Sequence, residues 1–141
     1  MSGQADEWFD TYMAGVDQRR QLSFPFCEQC GKFHWYPKAA CPHCRRPGWL
    51  WKAVSGDARL FTWTAVRHSF ASEFTVPFTV LIVELVESPD IRVVSNLDPD
   101  ARETRLSAGM RMRATFGKRV ARTDASMPTF APIPGSAEAF A

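Results

Sequence analysis

The sequence predicts a mostly β protein with an N-terminal helix, a small four-cysteine metal module and a C-terminal strand barrel. Three observations carry that prediction. All four cysteines fall in one short stretch as two C-x2-C hooks, Cys27/Cys30 and Cys41/Cys44. About five short β-branched and aromatic runs follow from Lys52 onward. Ahead of the hooks, apolar side chains recur at helical spacing from Trp8 to Val16.

Composition sets the outer limits. At 141 residues, and with roughly one domain per 150 residues as a guide, the chain holds one compact body or two small modules. Hydrophobic residues make up 45% and charged residues 23%, which is ordinary globular usage and argues against a disordered or fibrous chain. The longest apolar run, near Val80–Val86, is broken by Glu84 and falls well short of the ~20 residues of a spanning helix. The acidic start, Met1 to Glu7, lacks the basic and apolar parts of a signal peptide. A soluble, cytoplasmic protein with no membrane contact is expected.

Residues 6–20 read as the helix. Asp6 and Glu7 in its first turn and Arg19-Arg20 in its last suit the helix dipole. Trp8, Phe9, Tyr12, Met13 and Val16 form one wide stripe. That stripe either packs on the protein's own body or docks on a partner, and the sequence leaves both open.

The hooks come next, ten residues apart. A tight turn lets two thiolates face one point, and two such turns supply a tetrahedron around a metal. Gly31, just after the first hook, can take the left-handed backbone such a turn needs. Two disulfides are the alternative, which a cytoplasmic setting disfavours. Zinc is expected ahead of iron, held by Cys27, Cys30, Cys41 and Cys44. Four protein ligands leave no open position, so the metal is structural. His34 and His43 are expected at the surface or behind the ligands. Phe24, Phe26, Phe33, Trp35, Tyr36, Trp49 and Trp51 surround the hooks and should pack around them.

From Lys52 the texture is that of strands. Leu60–His68, Phe78–Val86 and Ile91–Leu97 are three of them. Met110–Phe116 alternates strictly, with Arg111, Arg113 and Thr115 on one face and Met112, Ala114 and Phe116 on the other. A fifth strand is expected near Arg119, closing a barrel with few free edges. The tail from Pro128 to Pro134 is proline-rich, with Phe130 as its anchor.

In order, these pieces resemble a known family. Glu7-Trp8-Phe9, Cys27-Glu28-Gln29-Cys30-Gly31, Tyr36-Pro37 and Cys41-Pro42-His43-Cys44 match its first half. Val54-Ser55-Gly56-Asp57 through Phe61-Thr62-Trp63-Thr64, Ser95-Asn96-Leu97, Gly109–Met112 and Met127–Pro132 match its second. The family is the acyl-CoA-associated OB-fold proteins with a rubredoxin-like zinc ribbon, long catalogued as domain of unknown function thirty-five. The resemblance implies an N-terminal helix, a zinc ribbon and a C-terminal OB-fold barrel, and the expected division is a helical segment at 1–23, the ribbon at 24–51, the barrel at 52–132 and a flexible tail at 133–141. It also implies a companion subunit of a thiolase-like enzyme, an aldolase or acyltransferase acting on acyl-CoA in lipid metabolism, or of a hot-dog-type CoA-ester hydratase. Two departures stand out: Arg45-Arg46 follows the second hook where relatives often carry Gly, and Asp98-Pro99-Asp100-Ala101 replaces small residues after the Asn-Leu strand end.

No catalyst of its own is expected in the chain. The cysteines are committed to metal, and no G-x-S-x-G or H-E-x-x-H motif occurs. His68-Ser69 with Glu73 reads as loop rather than as a triad fragment. Charge is more suggestive. Net charge is only +2, yet no carboxylate lies between Thr104 and Thr123 while six cations do. Among them Arg111, Arg113, Lys118 and Arg119 are candidates for CoA phosphates, with a solvated strand face as the plainer reading. Single-stranded nucleic acid is the alternative ligand for an OB-like barrel. Ten acidic residues against eleven basic ones from residue 52 onward argue against it.

Overall fold

Helix α1 runs Ser2–Arg19, starting four residues before the expected residue 6. The first turn therefore carries no acid, and Asp6 and Glu7 fall one turn further in, while Arg19 occupies the last turn as expected. Arg20 ends the helix by taking a left-handed φ of +49°, and the Gln21 N–H closes back onto Gly15 O at 3.0 Å. These are features of a computed structural model, which describes residues 2–69, 76–120 and 127–134.

Among the described residues, every strand pairing is antiparallel except at one seam. In the ribbon, β1 (Ser23–Cys27) lies between β2 (Lys32–Phe33) and β3 (Leu50–Ala53). The barrel closes in the order β4 (Asp57–Val66), β5 (Phe78–Leu85), β6 (Arg92–Leu97), β8 (Thr129–Pro132), β7 (Arg111–Thr115) and back to β4. The seam is the parallel pairing of β6 with β8. Four of the five barrel strands lie where the β-branched and aromatic runs place them. The fifth does not: among the described residues no strand starts near Arg119, and β8 closes the barrel instead. Its Phe130 is fully buried and pairs with Leu97 and Ala114.

Alternation explains the burial. Along β5 every second side chain points inward, so Thr79, Leu81, Val83 and Leu85 are buried while Phe78, Val80 and Ile82 are half-buried on the outside. On β7, Met112 and Ala114 face inward and Arg113 outward, as its pattern predicts. A bulge between Leu60 and Thr62 turns Phe61 outward, where the Arg92 guanidinium covers its ring at 3.8 Å.

One hydrophobic cluster runs through helix, ribbon and barrel. It joins Tyr12, Met13 and Val16 to Leu22 and Phe24, then to Leu60, Leu81, Met112 and Phe130. The helix stripe is thus divided. Tyr12 lies against Phe24 and Trp35, with ring centroids 6.1 and 5.3 Å away, and Trp8 against Trp49 at 5.9 Å, but Phe9 is half exposed. Among the described residues no helix is long and apolar enough to cross a membrane.

Candidate functional site

Two turns bring the cysteines together. Cys27 ends β1 and Cys30 sits in the turn that leads to β2. Cys41 and Cys44 sit in a second turn ahead of β3. Both turns close alike: the Gly31 N–H bonds Cys27 O at 2.8 Å, and the Arg45 N–H bonds Cys41 O at 2.7 Å. Each needs a left-handed residue after its second cysteine, and Gly31 and Arg45 supply it with φ of +71° and +66°.

The four Sγ atoms all lie within 4.8 Å of one another. Cys27 to Cys44 is 3.5 Å and Cys30 to Cys41 is 3.7 Å. Thiolates at ~2.3 Å from a central ion would stand about 3.8 Å apart at the corners of a tetrahedron, so the set has the size of a zinc site. A disulfide needs about 2.05 Å, far closer than any pair here. The backbone favours the ligating form at two corners. The Cys30 N–H foremost holds the Cys27 thiol below its ordinary value. Burial pushes Cys41 up, but the N–H groups of Cys44 and His43 outweigh it and bring the thiol down to about 6. Burial pushes Cys30 up to about 12 in the absence of a metal. Such crowded sulfurs ionise together only around a cation. The donor set is soft, complete and partly buried, which suits structural zinc.

Neither histidine joins the set. His34 is buried, edge-on to Trp49 at 5.4 Å, and burial foremost lowers its pKa, keeping the ring neutral. Of the two places expected for it, at the surface or behind the ligands, it does not take the surface. His43 Nε2 lies 3.3 Å from Phe33 O, within reach to donate.

The four cations singled out for phosphate separate into two groups. Arg111 and Arg113 both reach Asp57, at 3.3 and 2.9 Å. Lys118 is held by Asp100 and lies 3.9 Å from Asp98. Arg119 lines a cavity of about 480 Å³ at one end of the barrel, with Asp98 and Glu103 among the other walls. The carboxylates that answer these cations are missing from any local motif, since Asp57 is more than fifty residues away in sequence. His68 is exposed; Glu73, Arg122 and the tail beyond residue 134 lie outside the described residues.

Comparison with known proteins agrees with this architecture. The family model for the ChsH2 rubredoxin-like zinc ribbon domain matches residues 18–49, and that for the ChsH2 C-terminal OB-fold domain matches 51–117. A DUF35 domain-containing scaffold protein of Methanothermobacter thermautotrophicus is 35% identical over 94 residues, covering 62% of this chain and 68% of its own length. Among solved structures, an Ltp2-ChsH2(DUF35) aldolase superposes with a TM-score of 0.74 at 24% identity, over 87% of this chain and 92% of that one. A Sulfolobus solfataricus protein of the DUF35 family, of unknown function, superposes with a TM-score of 0.59 at 8% identity, over 89% and 85%. With its helix, four-cysteine zinc ribbon and five-strand barrel, the chain belongs to the DUF35 family.

Proposed function

We propose that this protein is a non-catalytic companion subunit of a thiolase-like enzyme acting on acyl-CoA. The observation that carries the reading is the commitment of all four cysteines to one closed metal set, which leaves no thiol nucleophile and no open metal position. The names of its relatives point the same way: one is called a scaffold protein, and another is an aldolase named for Ltp2 together with ChsH2(DUF35). Phe9, Phe61 and Val94 are apolar and exposed, and such side chains serve a subunit that works by contact. A hot-dog-type hydratase is a second class of partner for the same surface. Arg111, Arg113, Lys118 and Arg119 are the candidates for contact with CoA phosphates, and the reduced cysteines suit the cytoplasm.

Co-expression with a candidate thiolase-like enzyme, followed by size-exclusion chromatography, tests the reading. A complex of fixed stoichiometry is expected, with acyl-CoA turnover by the complex and none by the purified chain. Saturable thioester turnover by the chain alone would overturn it.

A further inference from the structure

A basic crevice lies where the end of α1 meets β7. It has a volume of about 390 Å³, with Arg19, Arg20 and Arg113 around it and Leu22, Val54 and Phe116 beneath. Leu22 and Val54 are buried, so the floor is apolar. The helix end and the strand are more than ninety residues apart, and nothing in the linear pattern links them.

Arg20 is the unusual member. It takes a left-handed φ of +49°, a conformation that L side chains disfavour and that Gly or Asn usually fills at a helix end. Its side chain is fixed across the fold: Nη1 donates to Phe116 O at 3.2 Å. It also lies against Gly117, where a Cβ would stand 3.3 Å from both terminal nitrogens. Offsetting the helix dipole accounts for Arg19 in the last turn. It does not account for an arginine aimed away from the helix at a distant carbonyl. Among the described residues no carboxylate comes within ion-pair distance of Arg19 or Arg20. Arg113 does have one, Asp57 at 2.9 Å, which Arg111 also reaches at 3.3 Å.

We propose that this crevice binds a diphosphate group. Guanidinium forks match phosphate oxygens two at a time, and an apolar floor strengthens each charge-assisted bond by excluding water. Three guanidinium groups around one crevice suit the two phosphoryl groups of a diphosphate, with Asp57 beside Arg113 holding that fork in place. The diphosphate is either free or part of a nucleotide, and both present the same oxygens. Arg113 is shared with the candidates for CoA phosphates, and the inference rests on that reading to this extent, but Arg19 and Arg20 are not among those candidates.

The test is titration calorimetry on the full-length zinc-loaded chain at low salt, with sodium pyrophosphate in one arm and ADP in the other. Saturable binding that weakens as salt rises is expected in at least one arm. Tighter ADP assigns the site to nucleotides, and equal affinity assigns it to free diphosphate; either upholds the proposal. Arg20→Gly is the decisive variant, because glycine accepts the left-handed backbone while removing the fork. It should lose about tenfold or more in affinity with an unchanged or raised thermal midpoint. Arg19→Gln should weaken binding as well, and Arg102→Gln, an exposed cation that does not line the crevice, should leave it within about twofold. No saturation in the roughly millimolar range in either arm, or an Arg20→Gly chain that binds as tightly as the parent, would overturn the proposal.

Discussion

Arg45 occupies in the second cysteine turn the place that Gly31 occupies in the first, with φ of +66° against +71°. The two turns are otherwise closed by the same backbone bond. Only one has the residue that takes this conformation without steric cost. A Cβ at position 31 would meet nothing within 4 Å, so Gly31→Ala tests the backbone cost alone. It should destabilise by about 1–2 kcal/mol. Arg45→Gly should do the reverse, gaining about 0.5–1 kcal/mol after glycine's greater entropy when unfolded is subtracted. Thermal unfolding of both variants checks the signs, and equal shifts in one direction would show that the turns are not equivalent.

Removing the metal should separate ribbon from barrel. Any one of Cys27, Cys30, Cys41 or Cys44 changed to Ser should lower zinc from one ion per chain towards none. Near-ultraviolet signal should fall, because Trp35, Trp49 and Trp51 lie in or beside the ribbon sheet, while far-ultraviolet strand signal should largely remain. Elemental analysis and circular dichroism of the variants are the measurements. Zinc retained by all four variants would refute the assignment.

Acid should release the ion too. Zinc binds thiolates, so protons compete with it. The Cys41 thiol drops from 9.0 to about 6 on folding, so its contribution to stability is present above pH 9 and lost as pH falls through about 6. Bound zinc extends the thiolate range further downward. Release followed with a chromogenic chelator should therefore increase as pH is lowered, and a flat profile would contradict thiolate ligation.

Local patterns made most of this fold legible. Two C-x2-C hooks announce a metal set because turn geometry brings their sulfurs together wherever the rest of the chain goes. Strict alternation from Arg111 to Thr115 gives both the strand and its inner face. The closing strand β8 carries no such signal: Thr-Phe-Ala-Pro is short and ends in proline, and it becomes a strand only because β6 and β7 leave a gap of its width. The cations between Thr104 and Thr123 carry no local sign of their counter-ions for the same reason. Their counter-ions come from Asp57, Asp98 and Asp100, and only the folded barrel brings those carboxylates near.

Because β8 owes its structure to tertiary pairing, its one large buried side chain should dominate it. Phe130 is fully buried and stands opposite both Leu97 and Ala114. Phe130→Ala should cost about 3–5 kcal/mol through lost burial and the cavity left behind. Denaturant unfolding measures this, and a loss below about 1 kcal/mol would mean that the barrel closes without it.

The last prediction uses the divided helix stripe to separate folding from association. Tyr12, Met13 and Val16 belong to the protein's own core, whereas Phe9, on the same helix, is half exposed. Deleting the whole helix would remove core and surface together, so single substitutions are the sharper tool. Tyr12→Ala should destabilise by about 3 kcal/mol or more, since its ring packs against Phe24, Trp35 and Trp51. Phe9→Ala should change stability by no more than about 0.5 kcal/mol. If the helix's outer side meets the partner enzyme, Phe9→Ala should weaken co-elution, because exposed aromatic anchors contribute about 2 kcal/mol or more when they are central to an interface. Thermal unfolding and size-exclusion of the co-expressed pair give the two readings. A Phe9→Ala chain that co-elutes as fully as the parent would move the contact away from the helix, to the barrel face around Phe61 and Val94.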